Sequence, residues 1–304
     1  MVKKEVVTIP KMIDFAWKNM WKEGAKQMTK VHFVILTWNS EKVIGNCIDS
    51  LLAFQNIAVH IWIVDNGSTD RTLKIVDERK TALKGINKAV LFPLKENVGT
   101  TVSRNIVLRK LLEIAQRDEY ICVLDSDTQV TEEAVHILIS ELESDSRNGI
   151  VGPQLYSPDG TLQVSGRNIP TIGEKLKSLL FDKISLKTAR AMQEQYQTKQ
   201  DSAYPVGYLL SACWLMKPLL LEKVGLFDEE IFYAPEDVEF CIRVWKKGLR
   251  VMHCPKAKIL HHWQRLSRKR LFSIHNYKHI KGLFYMFIKH RYCFSNKKIR
   301  KLMF

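Results

Sequence analysis

The chain has 304 residues, 46% hydrophobic and 26% charged, with 14 Gly and 9 Pro. That is enough apolar matter for two average domains or one large α/β domain with appendages, and it excludes the disordered, collagen-like and low-complexity classes. The net charge of +15 is uneven: residues 240–304 hold 18 Lys and Arg and no acid, whereas residues 1–239 hold 29 against 32 acids. The C-terminal end is therefore either a solvated basic tail or a surface for a polyanion, nucleic acid or an anionic membrane face.

Residues 1–30 carry Phe15, Trp17, Met20 and Trp21 at helical spacing and read as a short amphipathic arm. Glu5, Pro10 and Asp14 interrupt it, so it is not a signal peptide, and no 18-residue apolar run free of charge offers a spanning helix. The six cysteines (Cys47, Cys122, Cys213, Cys241, Cys254, Cys293) form no C-x-x-C pair, and reduced thiols are expected. A cytoplasmic location follows as the expectation.

From residue 31 apolar runs alternate with helical stretches. Runs at 31–38, 59–65, 89–93 and 120–125 read as strands, with helices to about 54, after 70 and from about 99 to 117. Continuous apolar strands joined by helices predict a parallel sheet covered on both faces, with the ligand beyond the strands' carboxyl ends. The residues there are polar: Thr37 and Asn39, then Asp65-Asn66-Gly67-Ser68-Thr69-Asp70, then Asp125-Ser126-Asp127. After a helix to about 143 come a strand at 149–155, a turn at 157–160 and a polar stretch at 171–202, read as helical and partly mobile. Residues 204–216 read as one buried segment, 219–225 as a short helix and 235–248 as an amphipathic helix closed by Gly248. Two strands at 250–253 and 257–262 precede a basic, aromatic, helix-like tail from Arg268.

In an extended segment side chains at i and i+2 project the same way, so Asp125 and Asp127 can share a hard divalent cation, Mg²⁺ or Mn²⁺; the bland reading is a solvated turn. Asp65 offers a carboxylate to a base edge, while Ser68 or Thr69 serves as a helix N-cap. Asn97-x-Gly99 opens a helix whose positive end and Arg104 suit a phosphate; equally, Arg104 pairs with Asp65 or Asp125. Asp237 is either a general base or, like Glu236 and Glu239, an acid favoured in a first helical turn. His261 and His262 close an apolar run and are metal-ligand candidates or merely structural, and no cysteine spacing supports a zinc finger. P-loop, G-x-G-x-x-G, G-x-S-x-G and H-E-x-x-H motifs are absent.

Taken together, VILTWNSEKVIGNCIDSL, VDNGSTDRT, KENVGTTVSRN, VLDSDTQV and the stretch from SACWLM through APEDVEFCIRVWKKG to AKILHH resemble the family 2 glycosyltransferases, especially rhamnosyltransferase-like members that build cell-surface glycans. The resemblance covers about 31–267. It implies a GT-A fold, a Rossmann-like mostly parallel sheet flanked by helices, with a nucleotide-sugar-binding half at 31–128, an acceptor-binding half at 129–267 and the basic tail at 268–304. It implies Asp65, Thr37 and Asn39 at the nucleobase, Arg104 near the nucleotide, and Asp125 and Ser126 at the ribose or metal. Asp127 and His261 would be metal ligands with Asp125, His262 the fallback, and Asp237 the base of an inverting transfer from a nucleotide diphosphate sugar to a saccharide or lipid-linked acceptor, with Mn²⁺ or Mg²⁺. Gly99-Thr100-Thr101 and Pro235 depart from the usual pattern. The processive members' Gln-x-x-Arg-Trp signature is absent, which favours single-sugar transfer. The tail's cations and its aromatics (Phe272, Tyr277, Phe284, Tyr285, Phe287, Phe294) would suit peripheral adhesion to an anionic leaflet, the alternative being a closing helix packed on the domain. A nucleotidyltransferase leaves the Glu-Asp helix and the histidine without a role, and a non-catalytic nucleic-acid binder leaves the acidic rim unexplained.

Overall fold

The computed structural model describes residues 28–81, 87–172, 201–262, 274–292 and 295–303. Most of the N-terminal arm, most of the 171–202 stretch, and Phe272 and Phe294 of the tail lie outside them.

The first half is the expected alternation: β1 (Thr29–Thr37), α1 (Ile44–Leu52), β2 (Ile57–Asp65), α2 (Thr72–Lys80), β3 (Lys88–Pro93), α3 (Thr100–Ile114) and β4 (Tyr120–Asp125). Then follow β5 (Thr128–Gln129), α4 (Glu132–Ser144), β6 (Asn148–Tyr156), β7 (Leu162–Gln163) and β8 (Gly166–Arg167). The rest comprises β9 (Tyr204–Pro205), β10 (Tyr208–Leu209), β11 (Cys213–Met216), α5 (Pro218–Val224), α6 (Glu236–Lys246), β12 (Arg250–His261), α7 (Ile274–His290) and α8 (Lys297–Arg300). The main sheet runs β3-β2-β1-β4-β11-β6-β12-β5, with β7 on β6 and β9 on β12, and β8 and β10 form a separate ribbon.

Strands β1 to β4 are parallel, as expected of apolar runs linked by helices. The sheet is nonetheless mixed, because β11 enters between β4 and β6 antiparallel to both. Residues 204–216 form three short strands rather than one segment. The two strands expected at 250–262 are one, with a register shift between Cys254 and Lys258; Pro255, lacking an N–H, sits in that irregularity instead of ending the strand.

Alternation along β1 sends Val34 to one face, with Trp62, Val107, Leu111, Phe240 and Met286, and Phe33 and Ile35 to the other, with Ile44, Ile48, Leu51 and Val135. Both faces are thus buried. Five described cysteines are buried, unbridged thiols.

The described part of the tail packs on the domain. Met286 and Phe287 are buried, and the helix is pinned by charge: Glu239, fully buried, accepts from Arg243 Nε at 3.0 Å, Lys289 Nζ at 2.7 Å and His290 Nε2 at 3.1 Å. Burial alone would raise the Glu239 carboxyl, but His290, Arg243 and Lys289 outweigh it and hold it down to about 2. A depressed folded value means a stabilisation complete above the ordinary 4.5 and lost as pH falls through about 2. Glu239→Gln is expected to cost about 2–3 kcal/mol at neutral pH, with the deficit shrinking in acid, read by urea denaturation as a function of pH.

Candidate active site

Strand register gathers the polar ends. Thr37 pairs with Asp65 across β1 and β2, and Leu36 pairs with Asp125 across β1 and β4, so the predicted rim residues stand side by side at the carboxyl edge. Thr37 is buried; Asn39 has φ +49° and its Oδ1 accepts from Thr69 N–H at 2.8 Å, tying the first two rim loops together. Asp65 is fully buried and both of its oxygens serve its own turn, accepting from Ser68 Oγ at 2.5 Å and Ser68 N–H at 2.9 Å. Ser68 therefore caps Asp65 rather than the helix. The helix starts later, at Thr72, whose N–H goes to Asp70 Oδ1 at 2.9 Å.

The acidic centre follows β4. Ser126 is buried and its hydroxyl meets Ser40 Oγ at 3.0 Å. Strand β12 returns antiparallel to β5, opposing His261 to Thr128, and His262 N–H donates to the Asp127 carbonyl at 2.8 Å. This places His261 Nε2 3.4 Å from Asp127 Oδ1. One ligand atom each of Asp125, Asp127 and His261 lies within 4.8 Å of the others. His261 Nδ1 donates to Gln163 Oε1 at 2.7 Å, which orients the ring and leaves Nε2 for the acids. His262 turns away to Gln129, at 2.6 Å. Burial would lower the His261 imidazole, but Asp127's hydrogen bond and charge raise it; burial, opposed by Arg104 and reinforced by Asp127, raises the Asp125 carboxyl. Two carboxylates in mutual repulsion with an oriented imidazole suit an Mg²⁺- or Mn²⁺-sized hard cation.

Arg104, 2% exposed, sits behind this centre. Its Nη2 donates to Asp125 Oδ1 at 2.5 Å, and its Nη1 to Ser211 Oγ at 3.2 Å and Glu236 Oε1 at 3.5 Å. The pairing of Arg104 with Asp125 is thus present, and it is compatible with the phosphate reading. At the start of α3, where a phosphate is expected, one N–H is engaged by main chain: Thr100 N–H donates to Phe232 O at 2.7 Å, while Thr100 Oγ1 donates to Tyr233 O at 3.0 Å and Thr101 Oγ1 to Ile231 O at 2.6 Å. Carbonyl oxygens suit that positive end as an anion would. A Cβ on Gly99, at φ +92°, would lie 2.4 Å from Phe232 O, so the departing Gly99-Thr100-Thr101 string is what lets α3 grip the loop ahead of Glu236 and Asp237.

Asp237 is half-buried at the start of α6, its Oδ1 accepting from Val238 N–H at 2.7 Å. Burial and the Asp237 charge, against Arg104, push the Glu236 carboxyl up to about 8. A raised folded value gives stability that is full below the ordinary 4.5 and lost as pH rises through about 8. Glu236→Gln is expected to flatten that pH dependence and to recover roughly a few kcal/mol at alkaline pH, read from melting temperatures across pH 5–9. Sequence reasoning missed Glu236, Ser211 and Gln163 as site residues. Glu236 was visible as an acid, but only the fold shows it facing Arg104; the other two carry no motif.

The glycosyl transferase family 2 model matches residues 32–225. The chain belongs to that family. A Mycobacterium tuberculosis N-acetylglucosaminyl-diphospho-decaprenol L-rhamnosyltransferase is 27% identical over 210 residues, 67% of this chain and 66% of the relative's length, just under two thirds. The dTDP-rhamnosyl transferase RfbF of Shigella flexneri is 25% identical over 77% of this chain and 69% of its own. Among solved structures, GalNAc-T7 with UDP, GalNAc and Mn²⁺ superposes with a TM-score of 0.61 at 14% identity, covering 91% of this chain and 57% of that one. A mannosyltransferase from Pyrobaculum calidifontis with GDP-Man and Mn²⁺ gives 0.56 at 15%, covering 92% and 71%. The family 2 protein has the GT-A fold.

Proposed function

We propose that this family 2 protein transfers a single sugar, a deoxyhexosyl unit of the rhamnosyl kind, from a nucleoside diphosphate to a hydroxyl of a saccharide or lipid-linked acceptor, inverting the anomeric carbon, in cell-surface glycan synthesis. The observation that carries the reading is the Asp125, Asp127 and His261 cluster beside the Arg104, Glu236 and Asp237 group on one rim. The rhamnosyl assignment is supported by the names of the mycobacterial and Shigella relatives.

Asp125, Asp127 and His261 would hold Mn²⁺ or Mg²⁺, which when bound neutralises charge gathering on the departing diphosphate. The chain's own groups do the rest. Thr37, Asn39 and Asp65 line the base pocket, Asp65 using lone pairs that Ser68 leaves over. Asp125 and Ser126 face the ribose side, and Arg104 adds a fixed positive charge. Asp237 takes the acceptor hydroxyl's proton as the new C–O bond forms and the bond to the diphosphate breaks. No enzyme nucleophile is needed for inversion. A cytoplasmic site of action belongs to the same proposal; no helix among the described residues is long and apolar enough to cross a membrane.

The test is thermal denaturation with UDP-, dTDP- and GDP-sugars, each with Mn²⁺ and with EDTA. A donor at 100 times its Kd stabilises the folded state by about 2.7 kcal/mol. One nucleotide class is expected to raise the midpoint only with Mn²⁺, and Asp127→Ala to abolish that rise. Identical midpoints with Mn²⁺ and EDTA for every donor would overturn the metal-assisted reading.

A further inference from the structure

Over its described side chains, 278–290, helix α7 packs by one side. Gly282 lies against the loop that carries the Glu236-Asp237 pair, where a Cβ would come within 2.6 Å of Ala234 O, and Lys278 Nζ sits 3.2 Å from the Phe232 ring centroid. Met286, Phe287 and His290 are buried on the same side. The outward side is apolar where a solvated helix would be polar: Ile280 is 48% exposed, Phe284 57% and Ile288 71%. Eight large hydrophobics are exposed among the described residues, and these three share one helix face. At i, i+4 and i+8 they span about 80° of arc and about 12 Å of helix.

We infer that this face docks on an anionic phospholipid bilayer and holds the Asp237 side of the site against the membrane surface. The purpose assigned to the docking rests on the glycosyl-transfer reading with a lipid-linked acceptor; the docking itself does not. Charge selects the occupant. Lys281 and Arg291 border the apolar ladder, Lys297, Lys298, Arg300 and Lys301 are exposed in and beside α8, and no acid follows Glu239 anywhere in the chain. An apolar strip in a cationic field matches acyl chains beneath anionic headgroups. A second copy of the chain is disfavoured by the same charges, since a two-fold interface would set the two cationic fields against each other. The helix lies in the plane of the interface rather than across it.

The geometry sorts the three expected tail aromatics whose side chains are described. Phe287 is spent on the core and Tyr285 donates its hydroxyl proton to Asp228 at 2.8 Å, so of these three Phe284 is the one presented outward.

The experiment is flotation of the full 304-residue chain with vesicles of phosphatidylcholine containing about 30% phosphatidylglycerol, against phosphatidylcholine alone, without donor or acceptor. Binding to the anionic vesicles is expected to be about ten-fold tighter and to fall between 0.1 M and 1 M salt, as the screening length shrinks from about 10 Å to about 3 Å. The triple variant Ile280→Ser/Phe284→Ser/Ile288→Ser is expected to bind about ten-fold more weakly with an unchanged melting temperature. Should the triple variant melt early, Phe284→Ser alone carries the comparison. Equal binding by variant and wild type, wild-type binding blind to phosphatidylglycerol, or a wild-type dimer in light scattering that the variant dissolves without any vesicle binding overturns the proposal. The Mn²⁺-dependent donor shift, measured on the same protein, reports on the glycosyl-transfer reading separately.

Discussion

Asp237→Asn is expected to lower the rate of sugar transfer by about 10²–10⁴-fold while leaving the Mn²⁺-dependent thermal shift by the donor in place. The substitution keeps shape and the acceptor oxygen that meets Val238 N–H, so α6 starts as before. What it removes is the group that can take a proton. The acids around it divide the work: Asp125 and Asp127 face His261, and Glu236 faces Arg104 and Ser211. Asp237 is the half-buried second carboxylate of the Glu-Asp pair. Because the proposed donor subsites are at the ends of β1, β2 and β4, loss of the proposed base is expected to separate chemistry from donor binding. Single-turnover transfer and donor titration on the same preparation provide the check. Transfer by the variant at the wild-type rate would remove Asp237 from the mechanism, and simultaneous loss of donor binding would make it a structural residue instead.

The first half of the fold was legible because its signals are local. Each parallel strand is a largely apolar run, and β1, β2 and β4 each lead into a polar string at the sheet's carboxyl edge. The second half was less legible because its order is set by long-range pairing. Nothing in CWLM says that it runs antiparallel between β4 and β6, and Pro255 marks a bulge as readily as a strand end. The same divide runs through the site. Asp125, Asp127 and Asp237 stand in recognisable strings, and His261 follows from the resemblance. Gln163, which aims His261, comes from a two-residue strand 98 positions away in sequence and reaches its partner only through the fold. The contact between the start of α3 and the 231–233 carbonyls was illegible for a related reason: a helix N-terminus attracts any negative oxygen, and nothing local in the sequence says that a loop about 130 residues away supplies one to the Thr100 N–H.

Arg104→Leu is expected to destabilise the protein by about 3–5 kcal/mol near neutral pH, or about 10 °C in melting temperature. The guanidinium is the buried cation between Asp125, an acid of the candidate metal cluster, and the Glu236 carboxyl, and leucine leaves both without it. Burial already pushes Glu236 up to about 8 with the arginine in place. Without it both carboxyls rise further, and the folded state must either bind protons that the unfolded chain has released or carry unpaired charge. The sign follows. An acid raised in the folded state loses stability as pH increases, so the deficit of Arg104→Leu relative to wild type should be small near pH 4 and largest at pH 8. Arg104→Lys is expected to recover only part of the loss, since one ammonium on a flexible stem cannot reproduce the planar fork that meets Asp125 through Nη2 and Ser211 and Glu236 through Nη1. Mn²⁺ should narrow the gap for Arg104→Leu more than for wild type if the cation engages Asp125, because it would return positive charge to the carboxylate that the substitution strands. Denaturant titrations of the three proteins at pH 4, 6 and 8, with Mn²⁺ and with EDTA, check all of this at once. A deficit that is constant across pH would show that the arginine acts by packing alone, through its contact over the Phe227 ring at 5.7 Å, and not as the counter-ion of the acidic rim.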